Sequence, residues 1–228
     1  MTIDWKVVTG QNAQSWLIAV PHTQCLVHHD ILQPLQQIQK AASEQGFQLA
    51  IASAFRSLER QSLIWNSKAN GQRPVLDTNG KALDITKLTQ DELLFALLRW
   101  SAIPGCSRHH WGTDLDIYDA AAVAPNYTVQ LTAKECAETG VFAKFHNWLD
   151  AFFASNETGF FRPYAQDIGG IAPERWHISH APTAGKFSAL LDENRLLDWL
   201  CGQNIALIDS ICAHWPLIFR RYLLLQPA

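Results

Sequence analysis

The stretch Ser107–Asp116, "SRHHWGTDLD", sets two histidines, a glycine and two aspartates within ten residues. It runs on into Ile117-Tyr118, so that Leu115 and Ile117 alternate with Asp114 and Asp116. Alternation of this kind marks a half-buried strand, with successive side chains on opposite faces. Such a strand needs an apolar core on one side and a polar cleft that accommodates two carboxylates on the other. Gly112 permits a tight turn that returns His109 over the carboxylate face. One histidine and one aspartate from the set His109, His110, Asp114 and Asp116 can then share a metal ion. The competing reading is a polar loop with solvated histidines.

A second stretch, "PERWHISH" at 173–180, weighs against the solvated loop. It brings Glu174 three residues before His177, offering a third ligand and a general base. Catalytic zinc sites take three protein ligands and keep a fourth position open. Glu174 and His177 have opposite parity in a regular strand. Both reach one cleft only if the chain bends at Pro173–Glu174.

The rest of the chain alternates short strands with helices in no regular βαβ order, which predicts an α+β fold. Residues 30–46 read as a helix that Asp30 can cap, with Ile31, Leu35, Ile38 and Ala42 on one face. "FQLAIASAF" reads as a strand. Ser57 can cap a second helix running to about Asn70. Residues 71–88, with Gly71, Pro74 and Asn79-Gly80, read as a long loop or lid. "TQDELLFALLRW" and about 141–155 read as further helices, and "DLDIY" and "RWHISH" as short strands. The last 45 or so residues read as two helical pieces around Gly202. The expected organisation is one domain over 1–182 with a helical extension over 183–228 packed on it.

A formal charge of −3, with 17% charged residues, argues against a generic nucleic-acid binder. The five cysteines are scattered without metal-knuckle spacing, as expected of reduced thiols in the cytoplasm. The first twenty residues do not read as a signal peptide. "LIDSICAHWPLIFRRYLLL" is broken by charges and reads as an amphipathic helix rather than a membrane span. The nine tryptophans read chiefly as core filler, with lining of a ligand groove as the alternative.

Three motifs together resemble the zinc D-alanyl-D-alanine carboxypeptidase family of the VanY type, part of the group that includes lysostaphin-like enzymes and hedgehog domains. Residues 107–116 are similar to its Ser-x-His-x-x-Gly-x-x-x-Asp motif. "ERWH" resembles its Glu-x-Trp-His motif, and "SAFRSLERQ" at 53–61 its Ser-Gly-Tyr-Arg-Ser-x-x-x-Gln segment. The resemblance covers roughly 47–180 and implies a small central antiparallel sheet flanked by helices. It implies that His109, Asp116 and His177 bind Zn²⁺ and that Glu174 is the catalytic base. It further implies that Arg56 binds substrate or stabilises the transition state, with Ser107 and Gln61 as substrate contacts. Asp114 departs from the family's usual alanine or serine. It is expected to orient a ligand or meet a substrate ammonium, and is placed with the substrate-binding residues. The motif register excludes His110 from the metal, and strand parity excludes His180.

The implied activity is removal of C-terminal D-alanine from peptidoglycan-derived peptides. With no export signal read at the start of the chain, the expectation is an L,D-carboxypeptidase acting on tetrapeptides in cell-wall recycling. The alternatives are a D,D-carboxypeptidase or endopeptidase, and a non-catalytic zinc-stabilised binding domain.

Overall fold

The computed structural model describes residues 4–11, 16–155 and 157–224. Parts of the opening segment and of the C-terminal extension, residues 1–3, 12–15 and 225–228, lie outside the described residues.

A short helix α1 (Trp5–Val8) precedes a hairpin of β1 (Leu17–Ala19) and β2 (Leu26–His28). Helix α2 (His29–Glu44) follows β2 directly. Its cap is therefore His28 rather than Asp30: His28 Nδ1 accepts the Asp30 N–H at 3.1 Å. Strand β3 (Leu49–Ser53) leads to α3 (Leu58–Ala69), where Ser57 caps the first turn as expected, accepting the Arg60 N–H. The 71–88 segment folds back on itself through a Leu76–Ala82 bridge, with Asp77 accepting the N–H groups of Asn79 and Lys81.

Helix α4 (Gln90–Leu98) starts from a capping box between Thr89 and Glu92. Strand β4 (Asp114–Asp119), helices α5 (Ala133–Cys136) and α6 (Ala143–Ala154), and strands β5 (Phe160–Phe161) and β6 (His177–His180) complete the sheet region. The sheet is antiparallel, in the order β3-β4-β6-β5.

The alternation of β4 divides the sheet as the sequence demands. Leu115, Ile117 and Ile178 are fully buried in one core with Ile31, Leu35 and Ile38 of α2 and Phe145 and Leu149 of α6. The opposite face carries Asp114, Asp116 and His177. Burying each large apolar side chain contributes about 1.5–3 kcal/mol, so this face fixes the sheet register and with it the polar face.

The C-terminal segment is more broken than expected. It forms α7 (Ala181–Ser188), α8 (Glu193–Leu200), α9 (Ile208–Ala213), α10 (Trp215–Ile218) and a π turn at Phe219–Leu223. Asp192 starts a new helix by capping Arg195 N–H at 2.8 Å, and Pro216 cannot continue α9 because it lacks a donor. Leu196, Leu200, Ile211 and Trp215 share a second core with Trp65 of α3 and Leu94 and Leu97 of α4. No helix among the described residues is long and apolar enough to cross a membrane.

Candidate active site

The site is built on cross-strand pairs. Asp116 of β4 stands opposite His177 of β6 on one side and Ser53 of β3 on the other, beside a register shift between Ile51 and Ser53. Asp114 stands opposite Ser179. A 3-10 turn at Arg108–Trp111 ends at Gly112 in the left-handed region (φ 68°), the conformation that favours glycine. A Cβ there would also come within 2.9 Å of the His28 backbone nitrogen. The turn is held from behind by Trp111, which stacks on Phe187 and donates its indole N–H to Val8 O at 3.1 Å. It returns His109 to the polar face, where His109 Nε2 lies 3.3 Å from Asp116 Oδ2.

Glu174 arrives by the bend that its parity requires. A turn closes with His177 N–H donating to Glu174 O at 3.1 Å, and Glu174 N–H donates to Tyr164 O at 3.0 Å. Glu174 Oε2 then lies 3.6 Å from His177 Nδ1. Burial pushes the Glu174 carboxyl up to about 7, and the Asp116 charge adds to the rise while His177 and Arg56 oppose it. A carboxyl poised there is suited to proton transfer near neutral pH.

Ligand atoms of His109, Asp116 and His177 all lie within 4.8 Å of one another, and all three residues are buried. The hydrogen bonds behind them fix which nitrogens are free. His109 Nδ1 faces the Ala54 carbonyl at 2.9 Å, and a carbonyl only accepts, so Nδ1 carries the proton. His177 Nε2 faces Asp114 Oδ1 at 3.0 Å and donates to it. The neutral rings therefore turn bare lone pairs, His109 Nε2 and His177 Nδ1, towards the Asp116 carboxylate. Lone pairs facing a carboxylate are stable only with a cation or a proton between them. The set of two imidazoles and one carboxylate fits a divalent metal of the zinc type. Without a metal the proton takes that place: burial opposes a charge on His177, but Asp114 and Asp116 lift it to about 10.

Asp114 does not reach the cleft. It is 0% exposed and accepts from Arg108 Nε at 2.7 Å, Thr113 Oγ1 at 2.7 Å, Ser179 Oγ at 3.0 Å and His177 Nε2. Burial works against its charge, yet Arg108 and His177 hold its carboxyl well below the usual range. With its oxygens committed inside the protein, it orients His177, and the expected contact with a substrate ammonium falls away. Gln61 borders the cavity, but its amide is committed to protein partners. It is 1% exposed, accepts from Arg56 Nη1 at 2.8 Å and donates to Ala102 O at 2.6 Å. Ser53 Oγ holds Nη2 of the same guanidinium at 2.9 Å, so Arg56 is fixed with Nη2 3.8 Å from Asp116 Oδ2.

Ser107, Arg56, His109, Asp116, Glu174 and His177 line one cavity of about 310 Å³. Trp100 and Trp176 line it as well, whereas Trp65, Trp111 and Trp215 are core. His110 bonds Arg56 O and the Gly105 N–H, and His180 bonds Thr183, so neither belongs to the metal group. Tyr164 and Arg108 are among the lining residues not singled out from sequence. Tyr164 packs edge-on against His177 with ring centres 4.9 Å apart, and Arg108 pairs with Asp114. Arg108 stands within the 107–116 motif; Tyr164 carries no local signal.

The family profile described as VanY, D-alanyl-D-alanine carboxypeptidase, matches residues 24–183, well over half the chain and every residue of this site. The chain belongs to the VanY family. A Haemophilus influenzae protein described as uncharacterized is 41% identical to this VanY-family chain over 106 residues, 45% of this chain and 72% of its own length. A second from that organism, with the same description, is 32% identical over 125 residues, 53% of this chain and 92% of its own. Among solved structures, the LdcB LD-carboxypeptidase has a TM-score of 0.53 at 18% identity, covering 89% of this chain and 79% of that one. A variant of the vancomycin-resistance D,D-pentapeptidase VanY in complex with Zn(II) has a TM-score of 0.52 at 21% identity, covering 91% and 99%. At these identities the two structures establish the shared α+β fold.

Proposed function

We propose that this VanY-family carboxypeptidase is zinc-dependent and releases the C-terminal D-alanine of peptidoglycan-derived tetrapeptides, cutting an L,D bond. The observation that carries the reading is the convergence of the His109 and His177 lone pairs on Asp116, beside a buried Glu174 and a clamped Arg56. A non-catalytic metal domain has no use for the last two.

His109, Asp116 and His177 would hold the zinc, which when bound would supply Lewis acidity and a water of pKa about 7. Glu174 takes the proton of the attacking water and passes it to the leaving amine of D-alanine. Arg56, fixed by Ser53 and Gln61, sets a positive charge where the tetrahedral oxyanion develops. Ser107 lines the cavity and is the hydroxyl we assign to the bound peptide. Asp114 holds His177 in the tautomer that leaves Nδ1 free. The C-terminal helices from 183 onward act as an extension buttressing α3 and α4.

The preference for tetrapeptides rests on compartment. All five cysteines are free, although the Cys201 and Cys212 sulfurs lie 2.9 Å apart, and thiols left reduced at such a distance favour a reducing compartment. There, cutting D-Ala–D-Ala would destroy wall precursors, whereas trimming tetrapeptides would recycle wall fragments. The family's description supports a second reading, D,D-cleavage of pentapeptides. Metal-loaded protein incubated with tetrapeptide and pentapeptide muropeptides, with the products weighed, separates the two. Release of D-alanine from the tetrapeptide supports the L,D reading; turnover of the pentapeptide alone overturns it.

A further inference from the structure

The cavity carries more positive charge than the reaction above uses. Arg56 is turned to Asp116, and Arg108 is paired with Asp114 at 2.7 Å. Two further cations, Lys68 and Arg73, line the same cavity. Lys68 is half-buried and donates to the neutral Ser101 Oγ at 2.6 Å. No carboxylate of the described residues forms an ion pair with either. Burial lowers the Lys68 ammonium's pKa, the Glu174 charge opposes that fall, and the charges of Arg56 and Arg73 add to it. Like charges gathered along one cavity wall, with no carboxylate in ion-pair contact, form an anion-attracting field.

Their placement follows from helix periodicity. Gln61, Ile64 and Lys68 recur at i, i+3 and i+7 on α3, and all three line the cavity. Gln61 holds Arg56, and Lys68 lies seven residues further along, about 10 Å at helical rise. Beyond Asn70 the chain turns back at Gly71 (φ 72°), and Arg73 N–H bonds Ser67 O at 3.1 Å. That turn returns Arg73 to the Lys68 end of the cavity wall.

We propose that Lys68 and Arg73 form a subsite for a second substrate carboxylate, the one at the end of a diaminopimelyl side chain next to the released D-alanine. This rests on the tetrapeptide reading above and deepens it. A diaminopimelyl chain ends in a carbon bearing both an ammonium and a carboxylate, roughly 6 Å from its backbone. Its carboxylate meets the two cations, and the ammonium on the same carbon is neutralised by that carboxylate. A lysyl chain ends in ammonium alone and meets like charge, so the subsite also works by repulsion. The side-chain group that is read is thus the carboxylate, at the cavity wall, and not the ammonium at Asp114.

The test compares kcat/KM on diaminopimelyl and lysyl tetrapeptides, for wild type, Lys68→Gln and Arg73→Gln. Wild type is expected to favour the diaminopimelyl peptide by about tenfold or more, as a charge-assisted contact allows. Either variant should bring that ratio towards one, chiefly through KM. Arg73 is exposed, so its variant gives an answer even if Lys68→Gln does not fold. A wild type without preference, or a ratio unchanged in both variants, overturns the subsite. Binding of the two tripeptide products, measured by calorimetry, is the second readout. Should wild type cleave neither tetrapeptide, the proposed function fails, and the binding ratio still decides the subsite: a diaminopimelyl preference lost in Arg73→Gln upholds it, and equal binding of both tripeptides overturns it.

Discussion

Asp116 and His177 face each other across adjacent antiparallel strands, with Oδ1 3.2 Å from a ring nitrogen whose opposite nitrogen is tied to Asp114. A direct cross-strand pair is the closest side-chain relationship a sheet offers, so backbone register itself holds two of the three proposed ligands. Replacing either removes a ligand without disturbing the apolar face behind it. His177→Ala and His109→Ala should each lose bound zinc by metal analysis and keep their fold by circular dichroism. Zinc content at the wild-type level in either variant removes that residue from the ligand set. Because metal-free His177 stays protonated up to about 10, uptake releases a proton and metal affinity should rise with pH below that value.

Glu174 touches the ligand group without being one of the three. Glu174→Gln should retain zinc and thermal stability while kcat falls by about 10²–10⁴-fold, the usual contribution of a general base. Wild-type turnover would remove Glu174 from proton transfer.

Asp114 is buried with Arg108, so removing its charge strands a buried guanidinium. Asp114→Asn should destabilise the fold by about 3–5 kcal/mol, the range for breaking a buried pair. It should also weaken zinc by about 10–100-fold through the lost orientation of His177. Activity losses should be equal on diaminopimelyl and lysyl peptides. A loss confined to the diaminopimelyl peptide would restore Asp114 to substrate recognition.

Arg56 is gripped at both ends of its fork, by Gln61 and Ser53. Lysine cannot fill two such contacts with one fixed plane. Arg56→Lys should keep zinc and stability and lose kcat, as expected for a charge at the oxyanion. A rise in KM alone would place Arg56 on the substrate carboxylate instead. Gln61→Ala should give a weaker loss of the same kind, because Gln61 acts through Arg56.

Local features carried most of what could be read in advance. The parity of Asp114 and Asp116, the left-handed Gly112 turn, the Ser57 cap and the bend before His177 are each set by a few neighbouring residues. The fate of Asp114 was not legible, because its partners Ser179 and His177 lie 65 and 63 residues away and meet it only through strand pairing. The cap of α2 passed to His28 because β2 runs into the helix without a loop. Lys68 had a signal that periodicity supplies, the shared face with Gln61, but that signal acquires meaning only once Gln61 is known to face the cavity.

His110, excluded from the metal, underlies a prediction about acid stability. Its Nδ1 lies 2.6 Å from Arg56 O and so carries the proton, while its Nε2 accepts the Gly105 N–H at 3.1 Å. Protonating Nε2 would break that second bond inside a buried turn. Burial lowers its pKa to about 4, with the Arg56 charge adding to the fall. A histidine whose folded pKa is depressed stabilises the fold fully above its unfolded value of about 6.5. That contribution drains away as pH falls from about 6.5 to about 4, and over this window it amounts to about 3 kcal/mol. His146 is lowered to about 3 by burial and by Arg162, so it acts in the same direction. The carboxylates of Asp114 and Asp116 titrate below this window, but Glu174, raised to about 7, titrates inside it with the opposite sign, because its burial penalty is relieved as pH falls. Glu174 is common to both proteins, so the His110 contribution should appear as the difference in melting temperature between wild type and a His110 variant from pH 6.5 to pH 4.5. His110→Gln keeps an amide donor and acceptor but cannot titrate, so its melting temperature should gain on that of the wild type as pH falls, whatever its stability at pH 7.5. Parallel pH profiles for the two proteins would mean that the buried histidine turn does not govern acid unfolding.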